Sequence, residues 1–350
     1  MNRDDIGELF FVGFEGTSVS DNLKRFLLDL KPAGVILFAR NIEEPAQVAA
    51  LNRDLQLLAM DHWTTGLLIG VDQEGGRVRR LRAPFVSCPS ARILSSDPRA
   101  DELVRSYATI MAHELKLVGF NTNFTPVLDV LSENSDAATS VIGDRSFGAD
   151  PAAAARLGQI VIQSVRSAGV IPCGKHYPGH GGTQVDSHVA LPVDARDEKS
   201  LREKDLIPFR TAVENGVDML MTAHVLYPAL DSSFPATLSR KIVNDMLRSD
   251  WGYDGVVITD DLDMGAMANH YHPAQCAQLA LNAGADLLLF SKSTDEVLRA
   301  RDAIVELVEA GRIPLERVAD ALRRTRELKA RYAPHLTPAD PAAARRHFDV

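Results

Sequence analysis

Gly255-Val256-Val257-Ile258-Thr259-Asp260-Asp261 is an apolar run of strand length that stops on two carboxylates. A strand that is apolar at every position must be buried on both faces, as in a parallel sheet covered by helices. Comparable runs occur at Leu9–Phe14, Gly34–Phe38, Gly66–Val71, Asn121–Val127, Val170–Gly174, Met219–His224 and Ala285–Phe290. Helical periodicity fills the gaps, at Ala46–Met60, Asp101–Leu117, Ala152–Ser167, Glu198–Asn215, Ser239–Arg248 and Ala274–Ala283. Pro32-Ala33-Gly34 and Asn282-Ala283-Gly284 supply helix stops before the next strand. Eight strands with helices between them predict an α/β chain folded as a single closed (β/α)8 barrel of TIM type. An open doubly wound sheet would favour a glycine-rich phosphate turn after its first strand, and Gly13-Phe14-Glu15-Gly16 does not match one. The 350 residues suit one barrel with insertions. We expect the catalytic barrel over 1–335 and a loose C-terminal extension over 336–350, which is rich in Pro, Ala and Asp.

The net charge of -9 and an isoelectric point near 5.6 disfavour nucleic acid and anionic membrane as partners, because neither would gain from counterion release. Three widely spaced cysteines, Cys88, Cys173 and Cys276, make no disulfide framework and fit a reducing compartment. The N-terminus carries acids where a signal peptide needs bases, and no apolar run approaches the roughly 18 residues of a membrane span. The expectation is a cytoplasmic protein with no membrane partner.

Charge collects where the expected strands end. Asp72-Gln73-Glu74-Gly75-Gly76-Arg77 follows the third strand, and Gly143-Asp144-Arg145 lies in the segment after the fourth. Lys175-His176-Tyr177-Pro178-Gly179-His180-Gly181 follows the fifth, Thr222-Ala223-His224 ends the sixth, and Asp260-Asp261 ends the seventh. Barrel enzymes build their sites at the C-terminal ends of the strands. Taken singly, several of these residues have plain structural readings. Asp72 suits a cap, Arg80 a surface charge, Arg145 an ion pair, Asp129 a structural role and His224 a satisfied core position. Gly75-Gly76 marks close backbone approach, by a ligand or by another loop.

The stretch Gly174–His188 differs in kind. It holds Lys175, His176, His180, Asp186 and His188 within fifteen residues, among four glycines. In an extended segment Asp186 and His188 face the same side, so the carboxylate can orient and charge the imidazole. A metal site built from His176, His180, Asp186 and His188 is the rival, although no local metal signature appears. For Asp260-Asp261, adjacent strand residues face opposite ways, so only one of the pair should enter the site. The pattern does not say which.

These motifs together resemble glycoside hydrolase family 3. The resemblance rests on Val71-Asp72-Gln73-Glu74-Gly75-Gly76-Arg77-Val78, on Lys175-His176-Tyr177-Pro178-Gly179-His180-Gly181, on Asp186-Ser187-His188 and on Ile258-Thr259-Asp260-Asp261-Leu262-Asp263-Met264. It spans residues 8 to 330, and within the family it points to the bacterial β-N-acetylglucosaminidases of cell-wall recycling. It implies Asp260 as nucleophile, His188 as acid/base and Asp186 as the residue that orients His188. It also implies Asp72, Arg80, Arg145, Lys175 and His176 as contacts to the terminal sugar. The implied substrate is a small carbohydrate, an N-acetylglucosamine-containing muropeptide such as N-acetylglucosaminyl-1,6-anhydro-N-acetylmuramic acid. No metal and no cofactor are implied.

A retaining glycosidase usually pairs two carboxyl groups, and here a histidine would take the second role. An imidazole with an ordinary pKa near 6.5 can donate a proton and later accept one around neutral pH. Alternatives are hydrolysis assisted by the substrate's acetamido group, phosphorolysis with phosphate replacing water, and a β-glycosidase of different sugar preference. Further alternatives are a metallohydrolase and a sugar-binding protein without turnover, the last of which would have no need of a nucleophile.

Overall fold

The computed structural model describes residues 2–63, 65–132, 141–183, 186–187, 189–291 and 294–349. Eight parallel strands form the sheet, each at a position the sequence marks: β1 (Phe10–Val12), β2 (Gly34–Leu37), β3 (Leu68–Val71), β4 (Thr122–Asn123), β5 (Ile171–Tyr177), β6 (Met219–Thr222), β7 (Val256–Ile258) and β8 (Leu288–Phe290). Each pairs with the next in chain order, and β1 pairs with β8 through Phe10↔Leu288. A single parallel bridge, Ile258↔Leu287, joins β7 to β8 and closes the barrel.

Side chains alternate along the strands, as the two-residue period requires. Phe11, Ile36, Leu68, Phe124, Ile171, Met219, Val256 and Leu289 fill the interior in one buried cluster. Their neighbours Phe10, Val12, Val35, Leu37, Ile69, Leu220, Val257 and Leu288 belong to a second cluster shared with the surrounding helices. The interior is a packed core rather than a pore. Phe11 and Phe124 meet edge to face at 5.5 Å. Gly70 makes room for that pair, since a Cβ there would lie 2.9 Å from the Phe124 ring.

Two strands depart from expectation. Asn121–Val127 yields only the two residues of β4. Pro126 has no N–H to donate, and Asn121 and Asn123 spend their side-chain amides on the neighbouring backbone at Ile69, Leu67 and Gln73. Conversely β5 runs past Gly174 to Tyr177, because Lys175 N–H donates to Pro126 O (3.0 Å) and Lys175 O accepts from Leu128 N–H (2.7 Å). Lys175 and His176 are therefore strand residues and not loop residues.

The expected helices are present, with helix Pro45–His62 enclosing Ala46–Met60 and helix Ala100–Leu117 enclosing Asp101–Leu117. The segment 336–349 is not a loose end: helix Pro341–Phe348 packs on helix Pro45–His62, buries Ala344 and sets the Phe348 ring tilted against that of Phe85, with centroids 4.5 Å apart. Asp340 caps it, accepting from Ala342 N–H at 2.9 Å. No helix among the described residues is long and apolar enough to cross a membrane.

Candidate active site

One cavity opens at the C-terminal ends of the strands. Asp72, Arg80, Arg145, Lys175, His176 and Asp260 all line it. These six come from the segments at the ends of four strands, β3, β4, β5 and β7, and the fold brings them together.

Asp72 and Glu74 lie two residues apart at the end of β3, so their side chains share a face. Lys175 Nζ sits between them, 2.7 Å from Asp72 Oδ1 and 2.7 Å from Glu74 Oε1. Arg145 grips Glu74 with two bonds of 2.8 Å each. Arg80 Nη2 is 3.4 Å from Asp72 Oδ2, and its buried Nε finds no acceptor among the described residues. The three cations thus hold Asp72 and Glu74, and Lys175 also acts on Asp260. Burial works to neutralise Glu74, but Arg145 and Lys175 outweigh it and hold its carboxyl well below the usual range. Burial also works to strip Lys175 of its proton, and Asp72 and Glu74 more than compensate, so its pKa stands above the ordinary lysine value.

Adjacent residues on a regular strand point opposite ways, yet Lys175 and His176 both reach the cavity. A cis peptide joins them, and the pairing of β5 with β6 shifts register between Lys175 and Tyr177. His176 Nδ1 is 2.7 Å from Asp129 Oδ2, and its Nε2 is 3.5 Å from Arg145 Nη2. His180 Nδ1 shares a proton with Thr183 Oγ1 at 2.6 Å, and its Nε2 lies 3.3 Å from Ser187 Oγ. Burial first, then the nearby His176, push the His180 pKa down to about 4. Among the described residues no group of His, Cys, Asp and Glu is arranged to hold a metal.

Asp260 and Asp261 follow β7 and take different environments. Burial disfavours the Asp260 charge, but His176, His224, the Asp261 N–H (2.8 Å) and Lys175 outweigh it and lower its pKa. Asp261 turns toward Ser291, whose Oγ–H and N–H both donate to it, and it also accepts from Asp263 N–H at 3.0 Å. Burial pushes the Asp261 pKa up to about 6. Two neighbouring carboxyl groups are thereby driven apart, and Asp260 is the one whose ionised form the surroundings favour. His224 steadies this turn, with Nδ1 2.8 Å from Thr237 Oγ1 and Nε2 donating to Asp261 O at 3.0 Å.

Asp186 is half-buried at the rim, and its carbonyl accepts from Val189 N–H at 2.9 Å. Ser187 lines the cavity, and its carbonyl accepts from Ala266 N–H at 2.9 Å. His188 lies outside the described residues. The Gly75-Gly76 approach is to another loop: a Cβ at Gly75 would meet Pro89 O at 2.5 Å. Glu74 and Asp129 escaped the sequence reading as site groups. The two-residue spacing from Asp72 was a usable signal for Glu74, whereas nothing local marks Asp129 as the partner of His176, 47 residues away.

The family model for the "Glycosyl hydrolase family 3 N terminal domain" matches residues 1–328. A protein named beta-hexosaminidase from Thiobacillus denitrificans is 43% identical over 295 residues, covering 82% of this chain and 80% of its own length. Another of that name, from Pseudomonas aeruginosa, is 40% identical over 272 residues, covering 78% and 79%. The structure of a glycoside hydrolase family 3 beta-N-acetylglucosaminidase from Paenibacillus superposes with a TM-score of 0.90 at 40% identity over 95% of this chain. This chain spans 63% of that longer protein. A beta-N-acetylhexosaminidase structure from Beutenbergia cavernae superposes at 0.87 and 29% identity, covering 94% of this chain and 99% of its own.

Proposed function

Since this chain belongs to glycosyl hydrolase family 3, we propose that it is a retaining exo-β-N-acetylglucosaminidase that works through a glycosyl-enzyme on Asp260. The observation that carries the proposal is the contrast at the end of β7. Both carboxyl groups line the cavity, but Asp260 has a lowered pKa beside Lys175, while Asp261 is tied to Ser291 and Asp263 and has a raised one. A nucleophile must be ionised to attack, and Asp260 meets that need at neutral pH.

The terminal sugar would sit against Asp72, Arg80, Arg145, Lys175 and His176. The orphaned Arg80 Nε supports this assignment, because a buried donor without an acceptor is costly until a ligand supplies one. In the first step an Asp260 oxygen bonds to C1, the glycosidic C–O bond breaks, and His188 gives its proton to the leaving oxygen. In the second step His188 takes a proton from water, whose oxygen attacks C1 and releases Asp260. Asp186 would orient the His188 ring and favour its charged form. The aglycone we propose is anhydro-N-acetylmuramic acid in a peptidoglycan fragment, met in the cytoplasm. Three cysteines that remain unpaired fit that setting.

A fluorinated N-acetylglucosaminide that slows the second step should leave one sugar mass on the peptide containing Asp260. A labelled peptide elsewhere, or full turnover without a trapped species, would overturn the assignment. A panel of aryl β-glycosides should favour N-acetylglucosaminide over glucoside and xyloside, and a preference for either of the others would overturn the sugar.

A further inference from the structure

Behind the cavity wall lies a carboxylate that touches no cavity surface. Asp129 is fully buried in the loop that follows β4. Its Oδ1 accepts from two backbone N–H groups, His176 at 3.1 Å and His180 at 2.7 Å. Its Oδ2 faces His176 Nδ1 at 2.7 Å. Burial opposes its charge, but His176 and His180 outweigh burial and keep it ionised. An ionised carboxylate can only accept hydrogen bonds. The proton between Asp129 and His176 therefore sits on Nδ1, so whenever the ring carries a single proton its lone pair is on Nε2. Arg145 gives the same answer from the other side, because a guanidinium only donates and its Nη2 is 3.5 Å from that Nε2.

We propose that Asp129 is a positioning residue that locks His176 in its Nδ1–H tautomer, so that Nε2 accepts the proton of one hydroxyl of the terminal sugar. The proposal rests on the sugar-binding reading of the cavity. It has a chemical rationale: the cavity is rich in donors (Lys175, Arg80, Arg145), and the oxygens of Asp72 and Glu74 are already engaged by those cations. A sugar hydroxyl needs an acceptor for its own proton as well as donors for its oxygen. His176 Nε2 supplies that acceptor only while Asp129 keeps the ring proton at the back.

Asp129→Asn tests this with a nearly isosteric change. The position of Oδ1 must still accept from two N–H groups, so the amide oxygen is held there. The NH2 group then takes the place of Oδ2 and faces Nδ1. It can only donate, so the ring proton is forced to Nε2. The fold is kept and the tautomer is inverted, the kind of error that disables a histidine without moving it.

Nitrogen-15 spectra of the histidine side chains, taken on the full chain near pH 8 where ordinary imidazoles are neutral, should show His176 protonated at Nδ1 in the parent and at Nε2 in D129N. Kinetics would use aryl N-acetyl-β-glucosaminides with the 3-, 4- or 6-hydroxyl replaced singly by fluorine, which cannot donate. One replacement should cost the parent about tenfold or more in kcat/KM. D129N should lose a similar factor on the ordinary substrate and be nearly indifferent to that same replacement. In a His176→Ala background, D129N should change kcat/KM little further, whereas a merely structural role would persist. An Nδ1–H tautomer in D129N, an undiminished fluorine penalty there, or a parent enzyme indifferent to all three replacements would overturn the proposal. The spectra need no sugar, so an error in the substrate assignment shows separately, as absent turnover with the expected tautomers.

Discussion

Glu74 and Arg145 form a bidentate pair, Nε to Oε2 and Nη2 to Oε1 at 2.8 Å each, with side chains only 5% and 13% exposed. Lys175 Nζ shares the same carboxylate at 2.7 Å. Glu74→Ala would leave two buried cations short of their main counter-charge, and breaking such pairs typically costs about 3–5 kcal/mol. We expect a loss of that order in urea unfolding, with a clear fall in kcat/KM. The pH sign follows from the lowered pKa. The contribution of Glu74 is fully present above its unfolded value of 4.5 and is lost only as pH falls toward the much lower folded value. A variant as stable as the parent at pH 7 would show that the cluster holds its cations without Glu74.

Asp260→Ala should lose at least about a thousandfold in kcat, since the covalent route has no replacement group. Asp261→Asn keeps the acceptor for Ser291 and Asp263 and should lose far less. The reverse order in single-turnover rates would mean that the wrong aspartate was chosen. Arg145→Ala and Lys175→Ala should raise KM and lower kcat together, because contacts at the reacting ring tighten in the transition state.

The barrel was legible because most of its strands are dense apolar runs, the mark that burial on both faces leaves on a sequence. The strand ends were legible too, because polar residues there interrupt the apolar pattern abruptly, as at Ile258-Thr259-Asp260. What stayed hidden depends on contacts distant in sequence. Asp129 looks structural until His176 comes to rest on it, and the Asp260/Asp261 choice turns on Ser291, 30 residues away. The length of β5 was missed because Lys175 and His176 read as loop chemistry, while their backbone is paired like any strand. The tail was underrated because Pro, Ala and Asp suggest a loose end, yet here they are a cap and an N-terminal turn.

Helix Pro341–Phe348 sits far in sequence from the proposed chemistry and contributes through packing. Ala344 is fully buried, and Phe348 meets Phe85. Deleting residues 341–350 should lower the melting temperature by several degrees, in line with about 1–3 kcal/mol of lost burial. KM for an aryl glycoside should change little. A truncated chain with unchanged melting would show that the contact is not maintained in solution.

Asp205 offers a pH test of the platform beneath the His180 loop. It is fully buried, and its Oδ1 accepts from Arg196 Nη2 at 2.8 Å. Oδ2 has no partner among the described residues. Gly179 rests directly on it, since a Cβ there would lie 2.8 Å from Asp205 Cβ. Burial raises its pKa to about 6 against the pull of Arg196, and Asp194 and Asp129 add to the rise. A carboxyl whose folded pKa exceeds its unfolded value of 3.8 favours the fold when protonated. Its contribution is complete below the unfolded value and is lost as pH climbs through about 6. Asp205→Asn cannot titrate and lacks this slope. The stability of the parent minus that of the variant should therefore fall between pH 5 and pH 6.5, by on the order of 1 kcal/mol per pH unit, and level off above pH 7. Urea unfolding of both proteins at half-unit pH steps measures the difference directly. Parallel stability curves from pH 5 to pH 8 would mean that Asp205 is ionised throughout and that Arg196 fully compensates its burial.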